Sequence, residues 1–206
     1  MRQRLITVLL ACLPLLLLSY PPANAADPSP RAKVAEQKAR VLEKTASADG
    51  TATAPPDVTI TKAGVQAVDP NGTAPLDDAI TCLARTVYWE ARGTDTREME
   101  AVAEVVMNRL ASPDFPNTVC GVVRQGSEQG NCQFSWWCDG RPDEADSEKA
   151  YTYSREIARR ALNGDLPQRT RGALFFHHRG VSPAWADHFT RTVSTQEFIF
   201  YKPKKG

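Results

Sequence analysis

Apolar residues recur at helical spacing through much of the second half of the chain. In the run Leu83-Ala84-Arg85-Thr86-Val87-Tyr88-Trp89-Glu90-Ala91-Arg92-Gly93, Leu83 and Val87 mark the stripe a helix would bury. Asp77 and Asp78 stand where an N-cap and first turn favour acids, and Gly93 stands where a helix ends. A second helix comes at once. Asp95 with Glu98 three residues on makes a capping box, and Met99, Val102, Ala103, Val106 and Leu110 form its buried stripe before Pro113 and Pro116 stop it. Residues 118–123 fit a short strand or a single helical turn. A third long helix is predicted over 145–163, with Ile157, Ala161 and Leu162 facing inward and Gly164 closing it. Residues 173–177 read as extended, and the alternation over 190–193 and 198–201 reads as a hairpin. The predicted class is α+β, mainly helical, with a small β element.

Upstream the pattern changes. Arg2 and Arg4 precede an almost wholly apolar run over 5–18, and Ala23-Asn24-Ala25 supplies the small-x-small signature of a signal peptidase site. Residues 1–25 therefore read as a signal peptide, too short in its apolar run for a comfortable membrane span. Cys12 ends a stretch that superficially resembles a lipoprotein box, but the apolar run continues past it. Residues 26–74 are rich in Ala, Pro, Thr, Asp and Lys and lack aromatics, which predicts a flexible tether. A transient helix over 34–46 offers too little apolar surface to hold a core. All four tryptophans and all seven phenylalanines fall in 75–206, which reads as one compact domain.

Charge and cysteines narrow the class. Without Arg2 and Arg4 the exported chain carries 23 basic and 24 acidic residues, near −1, which points away from nucleic acid and from a polybasic membrane surface. Cys82, Cys120, Cys132 and Cys138 remain after export. An even number in an oxidising compartment predicts two disulfides, with three pairings open. Their spacing suits a zinc site poorly. No cofactor is predicted.

Against this background one residue stands out. At about 100° per residue, Glu90 projects within about 20° of Leu83, on the stripe that should be buried. A carboxyl group desolvated there has a raised pKa, as a general acid near neutral pH requires. The competing reading is an ion pair with Arg85 or Arg92. Three groups could share a cleft: Glu90 with Tyr88 and Trp89; Gln133-Phe134-Ser135-Trp136-Trp137; and Phe175-Phe176-His177 with Ser182-Pro183-Ala184-Trp185. Flat aromatic faces with amide and hydroxyl groups suit sugar rings, although Phe134, Trp136 and Trp137 also fit a core.

Residues 82–201 resemble the bacterial cell wall hydrolase family that includes the spore cortex-lytic enzymes. The resemblance rests on 88–93 and 101–109 (Ala-Val-Ala-Glu-Val-Val-Met-Asn-Arg). It continues through 115–123 (Phe-Pro-Asn-Thr-Val-Cys-Gly-Val-Val), Cys132-Gln133-Phe134-Ser135, Cys138-Asp139-Gly140 and Val181-Ser182-Pro183-Ala184-Trp185, in that order. It implies a lysozyme-like fold acting on peptidoglycan, with the catalytic acid at Glu90 and substrate contacts at Gln133, Ser135 and His177; Tyr88, beside Glu90, is a further candidate contact. Two departures stand out: Thr94 where the family often has a second Glu, and Phe175 where it often has a His.

The chemistry suits a single carboxyl group. A lytic transglycosylase cleaves between N-acetylmuramic acid and N-acetylglucosamine with one residue acting as acid and then base, and forms a 1,6-anhydro ring. A hydrolytic muramidase would want a second carboxylate. Glu98, Glu100 and Glu104 are assigned to the exposed face of their helix, and Asp139 to a turn. Two other classes compete: a non-catalytic wall-binding module, and a metallohydrolase using His177, His178 and His188. The expected partner is the peptidoglycan strand, met by an exported monomer in the periplasm or cell wall, with no nucleic acid and no stable membrane insertion.

Overall fold

The computed structural model describes residues 29–50 and 53–204, and the leader read from residues 1–25 lies outside them. Among the described residues six α-helices and a three-stranded sheet occur in chain order: α1 (Pro30–Ala46), α2 (Lys62–Ala67), α3 (Ala79–Ala91), α4 (Thr96–Leu110), α5 (Val119–Arg124), α6 (Glu148–Leu162), β1 (Phe175–His178), β2 (Phe189–Ser194) and β3 (Phe198–Pro203). The mainly helical α+β class is as predicted.

Helix α3 is the axis of the molecule. Asp78 caps it by accepting from the Ile80 and Thr81 amides, and every side chain from Ala79 to Tyr88 is buried. Helices α1, α4, α5 and α6 all pack on it, so a helix expected to be amphipathic is enclosed all round. Gly93, at φ +84°, turns the chain after its C-cap. A Cβ would meet nothing there, so the glycine serves the backbone conformation rather than a close approach.

Helix α4 begins at its predicted cap, with Asp95 accepting from the amides of Arg97 and Glu98. The capping box is only half formed, because the Glu98 side chain turns to Thr195 Oγ1 (2.7 Å) and the Glu197 amide (3.1 Å). The assignment of Glu98, Glu100 and Glu104 to an exposed face fails, since all three are buried. Glu100 takes Arg160 and Arg169, and Glu104 accepts from Thr170 Oγ1 (2.8 Å) and the Thr170 amide (3.1 Å). Three acids on one helix thus hold the late loop and hairpin, and satisfying their oxygens is what permits burial.

The tether expectation is also overturned. Helix α1 lays Ala32, Ala35, Ala39 and Leu42 into the core, and Ile60, Val65 and Val68 join them. Small alanines carry little apolar area in the sequence, but they let helices approach closely. Asp69 is buried against Arg85, with Oδ2 at 2.7 Å from Nη2, and accepts from Tyr151 Oη (2.6 Å) and the amides of Thr73 and Ala74. Gly72, at φ +70°, meets Ala145 so closely that a Cβ would stand 2.7 Å from that residue's own Cβ. The packed structure therefore starts well before residue 75.

The sheet is antiparallel in the order β1-β3-β2, with Phe175 opposite Tyr201 and a shift in register between Arg191 and Val193. Cys82 pairs with Cys120, joining α3 to α5, and Cys132 pairs with Cys138, closing a short loop. No helix among the described residues is long and apolar enough to cross a membrane.

Candidate functional site

Where α3 ends, the molecule opens into a cleft of about 650 Å³. Glu90, in the last turn of α3, and Arg109, near the end of α4, lie at its base. One wall is the disulfide-closed loop, which presents Gln133, Ser135 and Trp136. The other is formed by β1 and the 3₁₀ turn over Ala184–His188, which carry Phe175, His177 and Trp185.

Glu90 is half-buried, and its carboxylate has no hydrogen bond or ion pair among the described residues. Neither arginine of the rival reading reaches it. Arg85 is held by Asp69, and Arg92 bonds Asp146 (2.7 Å) and Tyr88 Oη (2.8 Å). Burial therefore dominates and pushes the Glu90 carboxyl up to about 7 from 4.5, with the Arg109 charge pulling partly the other way. The C-terminal end of α3 adds its own unfavourable dipole for an anion. A half-protonated carboxyl at neutral pH, facing an open cleft, can give a proton and take one back.

Four of the five predicted site residues meet in the cleft: Glu90, Gln133, Ser135 and His177. Tyr88 does not. It is 0% exposed, and its hydroxyl bonds Asp146 and accepts from Arg92 and the Ser147 amide. At about 100° per residue, side chains two positions apart on a helix point to nearly opposite sides, so Tyr88 and Glu90 cannot share a face.

The loop 132–138 holds its polar residues outward by burying its aromatics. Phe134 and Trp136 are in the core, and Trp137 is half-buried with the Arg124 guanidinium over its ring at 5.2 Å. Gln133 Oε1 accepts from Arg109 Nη2 at 3.2 Å. On the opposite wall His177 stacks on Tyr201. Its Nε2 lies 3.0 Å from the tyrosine hydroxyl and its Nδ1 2.9 Å from the His178 carbonyl. Both ring nitrogens are therefore occupied. His178 meets Glu197 instead, and no group of three His, Cys, Asp or Glu side chains converges anywhere among the described residues.

Three features were missed in the sequence. Arg109 sits three residues after Val106, on the stripe α4 buries, the same signal that singled out Glu90. Phe189 extends the aromatic wall from beside Trp185, with ring centroids 5.6 Å apart, which no local pattern announces. Asp139 lines the cleft as a second carboxylate. Its oxygens accept from the Arg141 amide (2.9 Å) and Nε (2.8 Å), which hold its carboxyl below the usual range.

Parts of the chain are similar to known proteins. The model of the cell wall hydrolase family matches residues 93–201, starting just after Glu90. The spore cortex-lytic enzyme of Bacillus subtilis is 52% identical over 44 residues, 21% of this chain and 14% of its own length. That of Halalkalibacterium halodurans is 36% identical over 104 residues, 48% of this chain and 27% of its own. The chain thus spans under a third of the curated relatives it matches. Among solved structures, the catalytic domain of Bacillus cereus SleB is 28% identical with a TM-score of 0.48, covering 60% of this chain and 89% of that one. The catalytic domain of the germination-specific lytic transglycosylase SleB from Bacillus anthracis is 26% identical with the same score, covering 63% and 100%. With more than half of its residues matched by the family model, the chain belongs to the cell wall hydrolase family.

Proposed function

We propose that this protein is an exported peptidoglycan glycosidase of lysozyme-like fold. It cleaves the β-1,4 bond between N-acetylmuramic acid and N-acetylglucosamine as a lytic transglycosylase. The observation that carries the reading is Glu90: a carboxyl without a partner among the described residues, pushed up to about 7, in a cleft lined by aromatic rings and by Gln133 and Ser135. Family membership supports the substrate class.

Protonated Glu90 donates to the glycosidic oxygen as the bond to the anomeric carbon breaks. The carboxylate so formed takes the proton of the muramic acid O6 hydroxyl, whose oxygen closes on that carbon as a 1,6-anhydro ring. Glu90 is thereby reset and no water is consumed. Gln133 and Ser135 offer hydrogen bonds to sugar hydroxyl and N-acetyl groups, His177 stands opposite them, and Phe175 and Trp185 offer faces for sugar rings.

A hydrolytic reading has one observation in its favour, the ionised Asp139 in the same cleft. Its engagement with Arg141 makes it a poor base for activating water, which favours transglycosylation. Purified sacculi digested with the protein and analysed by mass spectrometry separate the outcomes. Anhydro ends are expected; reducing ends that disappear in Asp139→Asn would establish hydrolysis, and sacculus binding without product would establish a wall-binding module. Glu90→Gln should fold normally and release no muropeptides, and full activity in that variant would sink the assignment.

A further inference from the structure

We infer that Arg109 is the positioning residue of this site: it clamps Gln133 on one wall of the cleft and, through its positive charge, biases Glu90 at the base. The inference rests on the proposed role of Glu90.

Arg109 is 3% exposed and forms no ion pair among the described residues. Its Nε donates to the carbonyl of Leu174, just before β1, at 2.7 Å, and its Nη2 donates to Gln133 Oε1 at 3.2 Å. One guanidinium thereby joins α4 to both walls. Around it stand the rings of Phe115, Phe134 and Phe175, with centroids 5.2, 5.2 and 5.4 Å from the guanidinium carbon. Its Nη1 is buried with no hydrogen-bond partner. A buried cation left this incompletely satisfied is costly, and a structural clamp alone could be built from neutral groups. Burial lowers its pKa to about 10, and the charge of Glu90 is what opposes that fall.

The converse holds for Glu90. The other charged or titratable groups lining the cleft are already engaged. From its own helix, Arg92 is held by Asp146; from the loop, Arg141 by Asp139; from β1, His178 by Glu197 and His177 by Tyr201. Among the described residues Arg109, which lines the same cleft, is the charge that acts on Glu90, and it favours the carboxylate. Removing it should therefore let Glu90 keep its proton to higher pH, and the basic limb of the activity profile should move with it.

The test measures three things: the Glu90 carboxyl titration by carbon-13 NMR, the pH profile of kcat/KM on soluble glycan strands, and KM itself. Arg109→Met should move the titration and the basic limb upward by about one unit and raise KM several-fold. Arg109→Lys keeps the charge but loses the fork. It should leave both midpoints in place while KM rises. Lower activity at all pH values with an unmoved titration in Arg109→Met would reduce Arg109 to a structural residue and overturn the inference. Should Arg109→Met fail to fold, Arg109→Lys decides alone: a wild-type KM or a displaced titration overturns it. Glu90→Gln keeps the two readings apart. An inactive Glu90→Gln with an unmoved titration in Arg109→Met sinks only the inference, whereas an active Glu90→Gln sinks the proposed function while a moved titration leaves the coupling standing.

Discussion

Glu90 is held at about 7 because folding takes its carboxyl out of water and no described residue gives it a hydrogen bond in return, and that displacement has a thermodynamic consequence. In the unfolded chain the group titrates near 4.5, so below that pH both states hold the proton and nothing is lost. Between 4.5 and about 7 the folded state retains a proton that the unfolded state has released. Stability therefore falls as pH rises through this window, by about 3 kcal/mol once pH exceeds the folded value. Glu90→Gln removes the titration. Its melting temperature should match the parent near pH 4 and exceed it at pH 8, and parallel pH dependences in calorimetry would refute this. Arg109 raised the same flag in the sequence, a charge on a buried stripe. That flag alone does not assign it, because nothing local tells a buried arginine from one that snorkels to the surface.

Among the elements, the loop between Cys132 and Cys138 depends most on its covalent link. It has no regular structure beyond a single 3₁₀ turn over Ser135–Trp137, whereas α3 is enclosed by four helices. Reduction should expose the amides of Gln133 to Trp137 to hydrogen exchange well before those of α3, although Cys82 on α3 is also disulfide-bonded. Equal or reversed protection would show that packing of Phe134 and Trp136 alone holds the loop. The starts of α3 and α4 were legible because capping is a local rule: Asp78 and Asp95 cap as their positions predict. The fate of Glu98 was not, because its partners, Thr195 and Glu197, lie about a hundred residues away.

For the molecule as a whole, the N-terminal helices belong to the fold. Ile60, Val65 and Val68 are fully buried, each contributing about 1.5–3 kcal/mol, and Asn163 and the Ile60 backbone exchange two hydrogen bonds of 2.9 and 3.0 Å. A chain beginning at residue 75, the boundary read from composition, should fail to give a cooperative melt, whereas one beginning at residue 29 should. Asp69→Ala should cost about 3–5 kcal/mol in urea unfolding, because it strands Arg85, 1% exposed, without its carboxylate. A loss below 1 kcal/mol would mean that the Asp143 carbonyl and the Tyr151 ring suffice for that arginine. By itself the sequence determined α3, α4 and α6, the caps of α3 and α4, the hairpin, the family resemblance and the misplaced carboxyl at Glu90. These are carried by periodicity and by residues close in the chain. Only the tertiary structure decided which charges share an environment: that neither Arg85 nor Arg92 pairs with Glu90, that Arg109 lines the same cleft, that Tyr88 is buried away from it, and that the supposed tether contributes residues to the core. Burial and pairing are set by contacts between residues far apart in sequence, and a carboxyl group's proton affinity depends on those surroundings rather than on its neighbours along the chain.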